Sequence, residues 1–437
     1  MRFTLALLVG KLLAKLGGLL GKATNLPGQV ALKICPDLMA RIRFNGKVLA
    51  VTGSNGKTTT ANLVAHILTQ NGYSVAGNAK GSNLTGGVAT TLLCASDLHG
   101  RARQDFIVLE VDERYSRLIF RWFSPDYLLV TNLFRDQLTR NGNVDVIVDK
   151  LHQAIGPDVQ LVLNSCDPIS GDLSPHNSRV YYGLAKTPLS TDESPNLTHD
   201  ARVCPRCLGR MQYSYYHYNH IGQYRCPSCG YQSPKPQYLA TDFDPATGDF
   251  AVGGQRVHTS YPSLFHVLNI TGAIALCCSV GLPLDRAAAA ASTFTVSKER
   301  LETFAVGDRQ ATMILSKNQN PVSFDQSISY LLERDCPGGK TAIILVNNIN
   351  HTGHKDTTWL YDISFERLVG QVEQVVCTGP RALDLAVRLQ VAGLRPDQVR
   401  IQPEVRQLAP VVADTTGDLF ILTEIYDAHS ILEVICP

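Results

Sequence analysis

Charge is scarce in this chain. Asp, Glu, Lys and Arg make up 18% of its 437 residues, and 40 basic against 38 acidic side chains leave a formal net charge of +2. Nucleic-acid affinity comes largely from Lys and Arg spread over one basic face, so this balance argues against nucleic acid as a partner. Long apolar runs are also missing. Spanning a bilayer takes about 20 such residues, whereas the apolar start, residues 3–10, is soon broken by Lys11, Lys15 and Lys22 and has no AxA-like cleavage site after it. Export is not expected. Internal repeats and low-complexity linkers are absent too. What remains, 44% hydrophobic residues and 34 glycines, is the composition of an ordinary globular protein of two or three domains at roughly 100–200 residues each.

Of the twelve cysteines, Cys204, Cys207, Cys226 and Cys229 form two CxxC pairs, while the other eight stand in mostly apolar surroundings typical of buried free thiols. That usage predicts a reducing, cytoplasmic location. Leucines at 5, 7, 8, 12, 13, 16, 19 and 20 alternate with lysines. Such a segment either packs against the body or lies peripherally at the inner face of the plasma membrane.

The sequence predicts an α/β protein. Lys47–Thr52 (KVLAVT) is a short apolar run before a glycine-rich turn, and residues 58–70 then carry Leu63, Val64, Ile67 and Leu68 at helical spacing. Further β-type runs at 106–111, 127–131 and 159–163 are separated by stretches long enough for crossover helices, the pattern of a parallel sheet. Residues 201–232 interrupt it with CPRC, an aromatic polar stretch and CPSCG. Helical spacing returns over 261–280. Strand-like runs at 341–347, 372–378, 399–401 and 418–423, with a helix signal at 381–389, describe a small C-terminal α/β domain. The expected organisation is an amphipathic segment 1–45, a nucleotide-binding domain 46–300 with an insertion at 201–232, and a domain 301–437.

Two motifs carry chemistry. Gly53, Ser54, Asn55, Gly56, Lys57, Thr58 and Thr59 join a strand to a helix. Glycines there let backbone N–H groups close around phosphate oxygens, the helix N-terminus adds positive potential, Lys57 neutralises phosphate charge, and the Thr58 hydroxyl can ligate Mg²⁺. Val51 stands where the full Walker A pattern has glycine, so this is a shortened variant for ATP. The second motif is Cys204-x2-Cys207 and Cys226-x2-Cys229, 18 residues apart. This is the knuckle spacing of a structural zinc ribbon with four thiolate ligands. His217 and His220 read as loop residues rather than ligands.

The phosphate loop in this context resembles that of the Mur ligases and their folylpolyglutamate synthase relatives, whose loop reads TGTNGKT. Glu110, in LEVDE, matches that family's Mg²⁺-binding glutamate. Thr131, Asn132, Leu133 and Asp136 correspond to its TNL..DH segment, with Gln137 in place of the histidine. Asn269 falls where these enzymes keep an asparagine against the adenine, and Asn78, Gly81 and Asn83 lie in a segment that borders the phosphate and acceptor sites. Only some 45 residues precede the loop, too few for a UDP-sugar domain of about a hundred residues. That shortfall, the cysteine insertion and the segment 356–362 make the chain similar to the MurT family, the Mur-ligase-like subunits of lipid II isoglutaminyl synthases. In the latter segment Asp356, Trp359 and Asp362 fit an Asp-x-Ser-Trp-x-x-Asp pattern, with Gly353-His354 where Asp-Gly usually precedes it.

This resemblance implies ATP-dependent amidation of the D-glutamate α-carboxylate of lipid II through an acyl phosphate, with ammonia from a GatD-type glutaminase in a heterodimer. It also implies that Asp356 completes the glutaminase's Cys–His pair, with Asp362 the nearest competitor for that role. Lys57 and Glu110 are the expected catalytic residues of the synthetase itself. A ligase adding an amino acid to a peptide or folate carboxylate is the alternative on the same fold.

Overall fold

A computed structural model describes residues 1–19, 24–78, 82–136, 143–295, 301–316, 319–347, 356–424 and 428–435. Gly81, Gln137, Gly353 and His354 lie outside them. The chain forms two compact units: Met1–Phe134, Asn143–Glu193 and Ala201–Thr295 in the first, and Arg135–Gly142, Ser194–Asp200 and Val296–Pro437 in the second.

In the first unit a sheet of nine strands runs, in spatial order, Gln255–His258, Asp249–Val252, Tyr238–Thr241, Arg179–Leu184, Gln160–Asn164, Tyr127–Val130, Lys47–Thr52, Phe106–Glu110 and Val75–Gly77. The last seven are parallel, and an antiparallel hairpin extends one edge. Parallel strands are covered by helices on both faces and so read as continuous apolar runs. Lys47–Thr52 accordingly buries five consecutive residues and Phe106–Glu110 all five. The helix Lys57–Gln70 buries Leu63, Val64, Ile67 and Leu68, the stripe its spacing predicts.

Lys47–Thr52 has the later strand Phe106–Glu110 on one side and the still later Tyr127–Val130 on the other. The chain order reverses here, and in open α/β sheets ligands bind beyond the strand C-termini at such a switch point.

The N-terminal segment packs. One side of helix Arg2–Leu19 buries Ala6 and Leu7 with Ala31, Cys35, Leu38 and Leu93. The opposite side stays exposed at Leu5, Leu8, Leu12 and Leu16. Of the two alternatives for this segment, packing against the body is the one observed. Not every scattered cysteine is buried: Cys94 is exposed, and Cys278 and Cys336 are half-buried.

The second unit holds six strands in the order Leu301–Val306, Arg309–Ser316, Asp418–Glu424, Lys340–Leu345, Gln374–Thr378 and Val399–Gln402. Only the first pair is antiparallel. Side chains alternate faces along a strand. Ala342 and Ile344 therefore join a core with Phe324, Trp359 and Leu385, while Ile343 and Leu345 join another with Leu408 and Ile431.

Candidate nucleotide and metal sites

The phosphate loop leaves the C-terminal end of Lys47–Thr52. Gly53 and Gly56 adopt φ of +131° and +81°, values that suit glycine because a Cβ is crowded in that region. Space excludes a side chain as well. A Cβ on Gly53 would collide with Thr131 Oγ1, and one on Gly56 would sit 2.6 Å from Asn269 Oδ1. Asn269, from the buried helix Leu264–Ser279, is therefore brought against the loop.

Residues 131–134 hold the loop from the other side. Thr131 Oγ1 donates to the Asn55 carbonyl at 2.6 Å, and the Asn55 N–H donates to Asn132 Oδ1 at 3.0 Å. Ser54 Oγ donates to the Phe134 carbonyl and accepts from the Phe134 N–H, at 3.0 and 2.8 Å. Thr131 and Asn132 thus act as a clamp on the loop backbone. Asp136 belongs to the second unit, where it is buried and accepts from Asn320 Nδ2 at 3.0 Å.

Lys57 is buried and folded back on its own loop. Its ammonium donates to the Gly53 carbonyl, to the Ser54 carbonyl at 3.3 Å and to Glu113 Oε2 at 3.0 Å. The side chains of the Lys57–Glu113 pair are only 7% and 2% exposed. Sequence reading missed Glu113. The signal was the third acid in LEVDE, since a buried lysine at a phosphate loop needs a counter-charge.

Glu110 stands opposite Val51 in the strand register, two residues before Gly53. Its Oε1 accepts from Asn83 Nδ2 at 2.8 Å, and Asn78 brackets its backbone, accepting from the N–H and donating to the carbonyl, both at 2.7 Å. Glu110 Oε2 is buried without a hydrogen-bond partner among the described residues, as are Thr52 Oγ1, Asn55 Nδ2 and Thr60 Oγ1. Buried polar atoms are paired in the great majority of cases. Four orphans around one loop, a carboxylate oxygen among them, fit a site built for a phosphate and its cation. Thr58 and Thr59, half-buried in the first turn of the helix, complete the set.

The four cysteine sulfurs all lie within 4.8 Å of one another. Cys204 Sγ is 3.6 Å from Cys229 Sγ, and Cys207 Sγ is 3.5 Å from Cys226 Sγ. A tetrahedron with metal–sulfur bonds of about 2.3 Å has edges of about 3.8 Å, so the cluster fits a tetrahedral thiolate site. Matching turns shape it: the Leu208 N–H donates to the Cys204 carbonyl and the Gly230 N–H to the Cys226 carbonyl, both at 2.9 Å, with Leu208 and Gly230 at positive φ. Between the knuckles runs the hairpin Gln212–Tyr218 and Ile221–Arg225. Tyr231 Oη ties the insertion to the sheet unit by donating to the Pro168 carbonyl at 2.8 Å.

Of the two histidines read as loop residues, His220 lies in the hairpin turn and His217 does not. His217 lies in a strand between Ser190 Oγ and the Leu184 carbonyl, and burial pushes its pKa down to about 4. His220 is fully buried, 3.3 Å from Asp167.

In the second unit, Asp356 is half-buried and accepts from the Thr358 N–H at 2.9 Å and from Thr358 Oγ1 at 2.8 Å. It thereby caps the short turn Thr358–Asp362. Asp362 lies 3.5 Å from Arg135, which is also paired with Asp200.

Two family models match: the Mur ligase middle domain over residues 51–201 and the MurT ligase C-terminal domain over residues 315–428. Among solved structures, a pseudomurein peptide ligase type C from Methanothermus fervidus is similar with a TM-score of 0.68 and 19% identity, over 91% of this chain and 80% of that one. MurF from Thermotoga maritima, solved in complex with ADP, has a TM-score of 0.64 and 16% identity, over 93% and 83%. At those identities the likeness speaks to the fold: a Mur-ligase-like α/β architecture. Sequence relatives reach further. The lipid II isoglutaminyl synthase (glutamine-hydrolyzing) subunit MurT of Staphylococcus aureus is 30% identical over 398 residues, covering 90% of this chain and 88% of the relative. Its counterpart in Streptococcus pneumoniae is 28% identical over 94% of this chain and 92% of the relative. With this coverage at both ends, the chain belongs to the MurT family, the ligase subunits built from a Mur ligase middle domain and a MurT ligase C-terminal domain.

Proposed function

We propose that this chain is the ATP-dependent synthetase subunit that amidates the α-carboxylate of D-glutamate in the peptide of lipid II, giving D-isoglutamine during peptidoglycan synthesis. In the first step a carboxylate oxygen attacks the γ-phosphorus of ATP and ADP leaves, giving an acyl phosphate. In the second, ammonia attacks the acyl carbon, phosphate leaves, and the nitrogen loses a proton. The observation that carries the reading is Glu110 Oε2, buried and without a hydrogen-bond partner among the described residues, at the strand end beside the phosphate loop.

Residues 53–59 would form the phosphate cradle, with the Lys57 ammonium and the backbone N–H groups of the first helical turn as donors while Asn132 holds the N–H groups of Ser54 and Asn55, and Asn269 stands at the loop for the base. Thr58 and Glu110 would hold Mg²⁺, which supplies charge neutralisation for phosphoryl transfer. Cys204, Cys207, Cys226 and Cys229 would hold one zinc ion that folds the insertion and takes no part in the chemistry. The protein would work in the cytoplasm, at the inner face of the plasma membrane.

Ammonia would come from a GatD-type glutaminase bound through the 301–437 domain, with Asp356 orienting the partner's catalytic histidine. A histidine general base needs such a carboxylate to fix its tautomer and stabilise the imidazolium. The test is amidation of lipid II by the chain together with a GatD-type glutaminase, with ATP and Mg²⁺, using either glutamine or ammonium. Wild type should use both nitrogen sources and Lys57→Ala neither. Asp356→Asn should keep the ammonium reaction and lose most of the glutamine reaction. ATP hydrolysis driven by an amino acid, with no partner present, would instead establish the amino-acid ligase reading.

A further inference from the structure

Helix Arg2–Leu19 has more to do than pack. Its inner side is accounted for by the buried cluster around Ala6 and Leu7, yet Leu5, Leu8, Leu12 and Leu16 are 52%, 48%, 58% and 50% exposed. Their spacing of three, four and four residues puts them on one helical stripe. Single exposed leucines are ordinary, but a continuous stripe on one helix marks a surface that meets something apolar.

Charge decides what that is. The helix contains Arg2, Lys11 and Lys15 and no acidic residue. Lys11 is engaged, its ammonium donating to the Ser96 carbonyl and, at 3.4 Å, to the Cys94 carbonyl. Arg2 and Lys15 are exposed. A second copy of the chain laid on this face would bring cations against cations, with no carboxylate on the helix to offset them. An apolar stripe flanked by cations, in a chain where no described helix is long and apolar enough to cross a membrane, is instead matched to the surface of an anionic bilayer.

We propose that the exposed face of helix Arg2–Leu19 is a membrane-docking surface that lies in the headgroup region of anionic lipid bilayers. The four leucines enter the acyl boundary, and Arg2 and Lys15 meet lipid phosphates. This deepens the peripheral location proposed above and rests on no part of the amidation chemistry.

The test is co-sedimentation of the full chain with vesicles of phosphatidylglycerol mixed with phosphatidylcholine, or of phosphatidylcholine alone. Wild type should bind the anionic vesicles and bind the neutral ones more weakly. Leu8→Gln/Leu12→Gln should lower the partition coefficient roughly ten- to a hundredfold, since each half-exposed leucine is worth roughly a four- to tenfold change. Lys15→Glu should remove part of the preference for anionic lipid. Neither variant touches the nucleotide site, so both should amidate detergent-dispersed lipid II as wild type does, and a failed amidation assay leaves the lipid-binding result readable. The proposal is overturned if wild type sediments with neither vesicle or if the double leucine variant binds undiminished. It is equally overturned if wild type is a dimer without lipid that the leucine variant converts to a monomer, with no vesicle binding in either.

Discussion

Replacing Glu113 by glutamine keeps the side chain's shape and removes its charge. The Lys57 ammonium lies 3.0 Å from Glu113 Oε2, with both side chains almost fully buried. At an effective dielectric constant of about 20, that separation corresponds to a gross attraction of about 5.5 kcal/mol. Breaking a buried pair by removing one partner costs about 3–5 kcal/mol, because the other charge is left uncompensated. Lys57 retains the Gly53 and Ser54 carbonyls, which places the loss near the lower end, about 3 kcal/mol. Nucleotide binding should reverse the sign of the effect. In the wild type a phosphate must displace Glu113 from the ammonium, whereas in the variant it meets a cation with no carboxylate to leave. ATP should then bind up to roughly a hundredfold more tightly, at 1.4 kcal/mol per factor of ten. Hydrogen exchange of the amides in Lys47–Thr52 and Lys57–Gln70 reads the first quantity, since it reports the opening free energy of that unit. Titration calorimetry reads the second. Wild-type protection in the variant, or weaker ATP binding, would refute the argument and assign Glu113 to the nucleotide or its metal.

Two further outcomes follow from the burial pattern. Purified protein should contain one equivalent of zinc, and Cys204→Ser/Cys226→Ser should contain none; the hairpin Gln212–Tyr218 and Ile221–Arg225 should then lose exchange protection while Lys57–Gln70 keeps it, because metal binding to such a site is largely folding energy. Asp325 is fully buried, accepting from Asn196, the Ser364 N–H and Ser364 Oγ, and burial pushes its carboxyl up to about 6. Between about pH 4, where an unfolded aspartate releases its proton, and pH 6, the folded form holds a proton that the unfolded chain has lost. Stability of the second unit should therefore fall by roughly 3 kcal/mol as pH rises through that window, and Asp325→Asn should flatten this contribution. Urea unfolding followed by Trp359 fluorescence in a Trp122→Phe background isolates the unit, and an unchanged pH slope in Asp325→Asn would refute the assignment.

The sequence discloses most where one short segment carries the whole signal. The phosphate loop needs glycines, a lysine and a following helix within a few residues, and all stand in order, so it was legible before any fold was known. The central parallel strands were legible because burial on both faces makes them continuous apolar runs. Edge elements were not: the hairpin Asp249–Val252 and Gln255–His258 is short and fully buries only Phe250, Val252 and Val257, and Leu301–Val306 buries no residue fully. Long-range pairing was out of reach as well. Glu113 meets Lys57 across 56 positions, and Asn132 clamps Asn55 across 77; no local period encodes either. Nor does local sequence tell that residues 135–142 and 194–200 leave the first unit to join the second.

The clamp on the phosphate loop has a kinetic consequence. With the Asn55 backbone held through its carbonyl and its N–H by Thr131 and Asn132, the loop, on the function proposed above, already has its binding shape when the nucleotide arrives. The freedom a loose glycine-rich loop would surrender on association, of order 1–2 kcal/mol per residue fixed, is given up once, when the chain folds. Association then waits on the movement of a single side chain, Lys57, rather than on a search through backbone conformations. Exposed rotamers change in picoseconds to nanoseconds and loops in nanoseconds to microseconds. Even slowed by its buried partner, Lys57 leaves capture of the nucleotide controlled by encounter, so that weakening the clamp, through Thr131 or Asn132, acts first on the association rate.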